Sequence, residues 1–214
     1  GISILGKTVK KISRFSKGLD FLKPAFDEFS NILDQYGQTA KWLELPHYFN
    51  ERATISFLQA ACWQANLVSL EEYVTQKRKG GVIKNGRCDL YVSQKRGVND
   101  IELEAKQRLL VSRTSDDKIR SWLKEGDDDA ASNEASKIRA SLTFIMPRLP
   151  AKDGVTEETH FALVQNALDV ALSDGIHAVH FWCNPNAWDV VEEPRGGGPA
   201  SRWPSLLTLI RVVS

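Results

Sequence analysis

Two short runs, Arg-Cys-Asp-Leu-Tyr-Val-Ser at 87–93 and Ile-Glu-Leu-Glu-Ala-Lys-Gln at 101–107, alternate apolar and polar residues with a period of two. That period belongs to half-buried β-strands, in which successive side chains point to opposite faces. The first run sends Cys88, Leu90 and Val92 one way and Arg87, Asp89, Tyr91 and Ser93 the other. In the second, Ile101, Leu103 and Ala105 share one face, and Glu102, Glu104 and Lys106 share the opposite face. A short polar turn separates the runs, so the two strands pair antiparallel. With both apolar faces on the core, Asp89 and Glu104 converge on one patch and Lys106 stands beside them.

Helical patterns surround these strands. Residues 8–45 read as helical, with Ile12, Phe15, Leu19, Leu22, Phe26, Phe29, Ile32 and Leu33 mostly three or four apart and an interruption near Pro24. This predicts an N-terminal helical arm over 1–45, ahead of a main domain over 46–214. After a break at 45–49, Asn50 caps a helix over 51–66 whose Ile55, Leu58, Cys62 and Ala65 form one stripe. Residues 67–76 fit a strand, and Asn85-Gly86 is the expected hairpin turn before 87–93. Ser115 caps an acidic helix holding Ile119, Trp122 and Leu123, with an exposed loop expected at 126–129 and a short helix after it. Further strands are expected at 140–147, 176–183 and 206–213, and a helix that Thr156 caps and Gly175 ends. The Gly-rich stretch 192–201 reads as a loop, either a substrate-facing flap or plain surface. Strands interleaved with helices predict an α/β fold with a mixed central sheet flanked by helices.

A chain of 214 residues, 42% hydrophobic and 26% charged, can bury a sizeable core without disulfide or metal staples. Its net charge of +1 excludes a whole-protein field that recruits a polyanion, so any nucleic-acid footprint is local. Local basic clusters exist: Lys7, Lys10, Lys11, Arg14 and Lys17 near the start, then Lys77, Arg78 and Lys79, with Arg87, Lys95 and Arg96 around the strand pair. A solvated face or turn tip is the alternative for each. Cys62, Cys88 and Cys183 lack zinc-site spacing and fit a reducing cytoplasm. No apolar run approaches the roughly 18–20 residues of a membrane span, and no leader pattern opens the chain, although a start at Gly1 leaves room for residues upstream. The expectation is a cytoplasmic protein that touches no membrane.

Two carboxylates and an amine on one patch suit hard-cation chemistry. Mg²⁺ or Mn²⁺ takes oxygen ligands, keeps several waters and bridges to substrate phosphate. Hydrolysis of a phosphodiester requires charge neutralisation, a nucleophile made from water and a proton for the leaving oxygen, and a bound cation supplies the first two. Lys106 can orient or deprotonate the water, or stabilise developing charge. The Ala105 carbonyl, between Glu104 and Lys106, is a further oxygen donor.

Asp89, a gap of 14 residues, then Glu104-Ala105-Lys106 resembles the PD-(D/E)XK nuclease superfamily, the restriction-endonuclease-like fold. In that family a helix bearing a Glu precedes three antiparallel strands, the second carrying the Asp and the third the E-x-K, followed by a helix and further strands. Residues 46–183 can be laid along that order. The resemblance implies Asp89 and Glu104 as metal ligands, Lys106 as the catalytic lysine, and Glu51 as the helix glutamate that holds a water or a second ion. Gln107 follows the lysine as in E-x-K-Q members, where it assists the site or the DNA contact. DNA as partner, Mg²⁺ or Mn²⁺ as cofactor and endonuclease activity are implied with them. Cys88 stands where the motif's name has proline, and Gln107 alternates to the other face of an ideal strand, so its role requires a twist or a bulge.

Plainer readings stand beside these. Glu51 also suits a first-turn carboxylate on a helix dipole, stabilising by about 0.3–1 kcal/mol. Glu102 reads as a strand charge paired to Lys or Arg, since Glu104 fits the motif better. His177 and His180 face opposite sides of a strand, which opposes a zinc site with Cys183, and His47 and His160 have no partner in sequence. Trp63, Trp122 and Trp182 read as core, while Trp188 and Trp203 flank the Gly-rich loop and can stack on a base. A DNA-binding module with weak or lost activity is one alternative. An assembly protein, whose arm buries its apolar stripe on a second chain instead of its own core, is the other.

Overall fold

The computed structural model describes residues 2–5, 11–133, 136–192 and 200–213, apart from the Lys79 side chain. Its elements in chain order are β1 (Lys11–Phe15), α1 (Lys23–Thr39), α2 (Pro46–Phe49), α3 (Glu51–Gln64), β2 (Leu67–Lys79), β3 (Val82–Gln94), β4 (Asp100–Leu110), α4 (Asp116–Ala130), β5 (Ile138–Pro147), β6 (Leu149–Pro150), α5 (Glu157–Ser173), β7 (Ala178–Cys183), α6 (Pro185–Trp188), β8 (Ser201–Arg202) and β9 (Ser205–Val213). Seven strands form one sheet in the order β1-β7-β9-β5-β4-β3-β2, antiparallel except where β4 lies beside β5. That parallel pair is joined through α4, the crossover that parallel neighbours require. The expected class, a mixed sheet flanked by helices, is the one observed.

Alternation along the strands feeds two cores. On one face, Phe26, Phe29 and Leu33 of α1 and Ile55 and Leu58 of α3 pack with Leu90, Leu103, Leu142 and Phe144. On the other, Ile119 and Leu123 of α4 and Val164 and Leu168 of α5 pack with Ile145, Phe181 and Leu207. The α4 helix lies over β4, β5 and β9, to one side of the β2–β3 hairpin.

The expected N-terminal helix is present as α1 but starts late. Residues 11–15 are a strand on the edge of β7, where Ser13 Oγ meets His180 Nδ1 at 2.7 Å and Ser30 Oγ of α1 meets Nε2 at 3.0 Å. An open strand edge recruits backbone partners whatever the side-chain periodicity. Gly18, at φ 100°, then turns the chain toward α1, and Pro24 begins that helix instead of interrupting it. The apolar stripe of α1 is buried on this sheet.

Other local expectations need correction. The hairpin turns at Gly80 and Gly81, at φ 59° and 79°, with Lys79 and Val82 as the last pair. Two left-handed residues give the two-residue turn whose twist matches its strands. Asn85 and Gly86 sit inside β3, opposite Gln76 and Thr75. Residues 126–129 belong to α4 and not to a loop. There Gly126 lies where a Cβ would come 3.0 Å from Ser141 Cβ, and Asp127 pairs with Arg211 and accepts from Ser141 Oγ at 2.7 Å. Residues 131–133 turn instead of forming another helix, and 134–135 lie outside the described residues. So do 193–199 of the Gly-rich stretch, whose ends Glu192 and Ser201 bridge each other. Trp122 and Trp182 are buried as expected, but Trp63 is 53% exposed, its Nε1 donating to the Ser69 carbonyl at 3.1 Å. No helix among the described residues is long and apolar enough to cross a membrane.

Two outcomes follow. Gly126→Val forces α4 off β5 and should cost about 1–3 kcal/mol of unfolding free energy, read by urea denaturation. Burial holds the His180 imidazole down to about 3 from 6.5. The unfolded chain therefore binds that proton more readily, so the stability involved is present above about pH 6.5 and lost as pH falls toward 3. Replacing His180 with Asn should flatten the melting temperature's pH dependence between those limits, and an unchanged slope would contradict the assignment.

Candidate active site

β3 and β4 pair from Ser93 opposite Asp100 to Leu90 opposite Leu103, and there the ladder stops. Beyond it the N–H groups of Ala105 and Gln107 face the gap, because alternate residues of a strand direct their backbone groups to the same side. Carboxylates replace the missing strand. Asp89 Oδ2 accepts from Ala105 N at 2.7 Å, and Glu51 Oε2 accepts from Gln107 N at 2.8 Å. The Ala105 carbonyl lies on the same side as its N–H and borders the same gap. Glu51 is delivered by the first turn of α3, which Asn50 caps through a 2.9 Å bond from Ala53 N to its Oδ1.

Glu104 and Lys106 stand on the α4 face of β4. Glu104 Oε1 accepts from Lys77 Nζ at 2.8 Å and from Asn133 Nδ2 at 2.9 Å. Lys106 Nζ pairs with Asp129 at 2.6 Å, and Arg108 pairs with Glu125 at 2.7 Å. The two ion pairs are commensurate, since four helical residues rise about 6 Å and two strand residues about 6.6 Å. Because the helix runs back along the strand, its later residue meets the strand's earlier one.

Burial raises the proton affinity of all three carboxylates, and the Asp89 charge adds to it at Glu104 and Glu51. Burial lifts the Glu104 carboxyl above its usual range and the Asp89 charge adds to this, against Lys77 and Asn133. Asp89 is lifted first by burial, with the Glu72 charge adding, against the Ala105 N–H, Lys106 and Lys77. Glu51 is raised by burial and then by Asp89. For Lys106, burial opposes the charge, but the bond to Asp129 and the charges of Glu51 and Asp89 outweigh it and hold the ammonium above the usual lysine range. These charges favour the protonated ammonium of Lys106.

The donor set fits a hard divalent cation. Asp89, Glu104 and the Ala105 carbonyl are the groups that would hold it, and Asn133 Oδ1, buried beside Glu104, has no hydrogen-bond partner among the described residues. Among those residues no group of three or more His, Cys, Asp or Glu side chains gathers closely enough to hold a metal ion. Mg²⁺ commonly takes one or two carboxylates, with waters and substrate phosphates completing its shell.

Other expected residues fall elsewhere. The Gln107 side chain follows ideal alternation to the opposite face, where its Oε1 accepts from Thr54 Oγ1 at 2.6 Å and its Nε2 donates to the His47 carbonyl at 3.2 Å. It anchors α2 and α3, and only its backbone meets Glu51. Glu102 is fully buried and pairs with no Lys or Arg among the described residues: it accepts from Thr75 Oγ1 at 2.7 Å and Ser136 N at 3.4 Å. Lys77, expected at the periphery, lies inside the carboxylate cluster. Arg78 donates its backbone N–H to Ser132, Arg87 pairs with Glu72 at 3.1 Å, Lys95 bonds Asn66 at 3.2 Å, and Arg96 is exposed at φ 71°. The Lys79 side chain lies outside the described residues.

Sequence reading missed Asp129, Asn133 and Glu72. The matched spacing of Lys106 and Arg108 with Asp129 and Glu125 was the available signal for the first. Glu72 has φ 50° and stands across from Asp89, at the interior position where the β2–β3 ladder skips a pair. Its carboxylate bonds Arg52 at 2.8 Å.

No family model matches the sequence, and no curated protein does. A solved crystal structure, that of SSO0001, is similar over 71% of this chain and 84% of its own length, at 14% identity and a TM-score of 0.22. Similarity that low carries no argument about fold or function.

Glu102→Ala leaves the Thr75 hydroxyl and the Ser136 N–H without their buried acceptor and should cost about 1–3 kcal/mol, measured in urea. Asp89→Asn keeps an acceptor for Ala105 N while removing a charge. A carboxyl raised on folding favours the folded state when protonated and opposes it when ionised. In EDTA at pH 7 the Asn variant should melt no lower than the parent, with its advantage shrinking as pH falls through the carboxylate range. A lower melting temperature would count against the cost of burying that charge.

Proposed function

We propose that the chain is a metal-dependent nuclease that hydrolyses DNA phosphodiester bonds, acting as an endonuclease like the PD-(D/E)XK nucleases that its motif resembles. The observation that carries this reading is the convergence of Asp89, Glu104 and Lys106 at the end of the β3–β4 ladder, with Glu51 on the same gap. Element order supports it: a helix with a first-turn Glu, a hairpin with the Asp, a strand with Glu-Ala-Lys, then a helix and a parallel strand.

A bound Mg²⁺ or Mn²⁺ would neutralise phosphate charge and acidify water near neutral pH. Asp89, Glu104 and the Ala105 carbonyl would hold it. Lys106, steadied by Asp129, donates to the attacking water or to the phosphate oxygen on which charge develops. Glu51, fixed by the Gln107 N–H and with a raised proton affinity, stands where it can take a proton from that water. The β2–β3 hairpin runs on past the end of its pairing with β4, and its basic residues Arg78, Lys84 and Arg87 would meet a nucleic-acid backbone. Three free, buried cysteines support a reducing, cytoplasmic setting. A binding-only module is the second reading, favoured by the exposed apolar side chains Val74, Val82 and Ile83 on the same hairpin.

The test is incubation with supercoiled plasmid and short single-stranded and branched DNA in Mg²⁺, Mn²⁺ or EDTA. Cleavage should need the cation and fall by at least about 100-fold in Asp89→Ala and Lys106→Ala. Variants that cut as fast as the parent would overturn the catalytic reading, and so would a parent inert on every substrate.

A further inference from the structure

Lys77 sits among the carboxylates, and the fold builds a passage for it. Its Nζ lies 2.8 Å from Glu104 Oε1, an oxygen that Asn133 also donates to at 2.9 Å. Asn133 bridges the Lys77 backbone as well, so one residue holds both ends of the contact. The lysine stem crosses the hairpin over Gly86, where a Cβ would come 2.7 Å from its Cδ. Gly86 is in ordinary strand conformation beside the Lys77–Lys84 pair, so neither turn nor positive φ calls for a glycine there. Clearance for Lys77 does.

Lys106 cannot serve Glu104 in the same way, since its ammonium is drawn to Asp129 at 2.6 Å. Lys77 is thus the cation that neutralises Glu104, and it occupies an oxygen that a divalent ion would need. We propose that Lys77 is the resident counter-ion of this centre: it holds Glu104 when no divalent ion is bound, yields that oxygen to the ion, and turns its freed ammonium to a phosphate of the bound strand. This rests on the cation-dependent reading above. It makes the hairpin the link between cation binding and grip on nucleic acid.

Calorimetric titration of Mn²⁺ alone into the parent, Lys77→Met and Gly86→Ala tests it without reference to activity. Removing the competitor should tighten Mn²⁺ binding roughly three- to tenfold in Lys77→Met, with Gly86→Ala shifted the same way by a smaller factor. Melting curves in EDTA establish that each variant is folded, and Gly86→Ala stands in if Lys77→Met is not. Mn²⁺ binding that is unchanged or weaker in the variants overturns the role of Lys77 while leaving the cation centre intact. Absence of Mn²⁺ binding in every protein overturns both. Fluorescence anisotropy with a duplex oligonucleotide provides the second readout. In Ca²⁺, the salt dependence of binding should lose about one phosphate contact in Lys77→Met, and in EDTA it should not change. Equal slopes in Ca²⁺ would overturn the transfer to phosphate.

Discussion

The end of the β3–β4 ladder is the constraint from which the candidate site follows. Continuing the register of Leu90 opposite Leu103 by one residue would set Asp89 directly across from Glu104. Like charges in a cross-strand pair are destabilising, so parting the strands there relieves repulsion. Parting them also strands the N–H groups of Ala105 and Gln107, and a buried donor without an acceptor costs about 1–3 kcal/mol. Asp89 and Glu51 accept those two protons and are themselves held in place by doing so. One break in hydrogen bonding thereby positions two carboxylates and a strand carbonyl around a single gap.

Charge balance around that gap comes from both sides of β4. The α4 crossover lays Asp129 and Glu125 against Lys106 and Arg108, and the close approach at Gly126 seats the helix on β5. From the hairpin side, Lys77 reaches Glu104 over Gly86. Asp89, Glu104 and Glu51 nonetheless keep raised proton affinities, first because they are buried. Holding buried carboxylates ionised opposes folding slightly.

The hairpin serves two ends at once. Its base, Leu67–Glu71 with Leu90–Gln94, is a structural part of the sheet, and beyond it Thr75 still reaches back to Glu102, which also accepts from Ser136 N after α4. Farther out, past its pairing with β4, it becomes a cationic two-stranded ribbon that turns at Gly80 and Gly81. Glu72, in its left-handed conformation opposite Asp89, marks the junction between the two parts.

Local pattern alone determined much of this protein. Period-two alternation in 87–93 and 101–107 was sufficient to place Asp89, Glu104 and Lys106 on one face, because side-chain direction in a strand follows from its own backbone. Cap residues Asn50, Ser115 and Thr156 likewise marked helix starts, since they bond N–H groups within three residues. Only the tertiary structure decided the rest. Strand 11–15 exists because β7, far along the chain at Ala178–Cys183, has an edge to fill, a fact invisible to any window. Asp129 belongs to the site because α4 continues through Gly126, whose missing side chain matters only against Ser141. Lys77 lies within the carboxylate cluster because the true turn is at Gly80 and Gly81, which leaves Gly86 to open the path to Glu104. Each depends on a donor, charge or gap supplied by a distant segment, and sequence spacing carries no record of which segments meet.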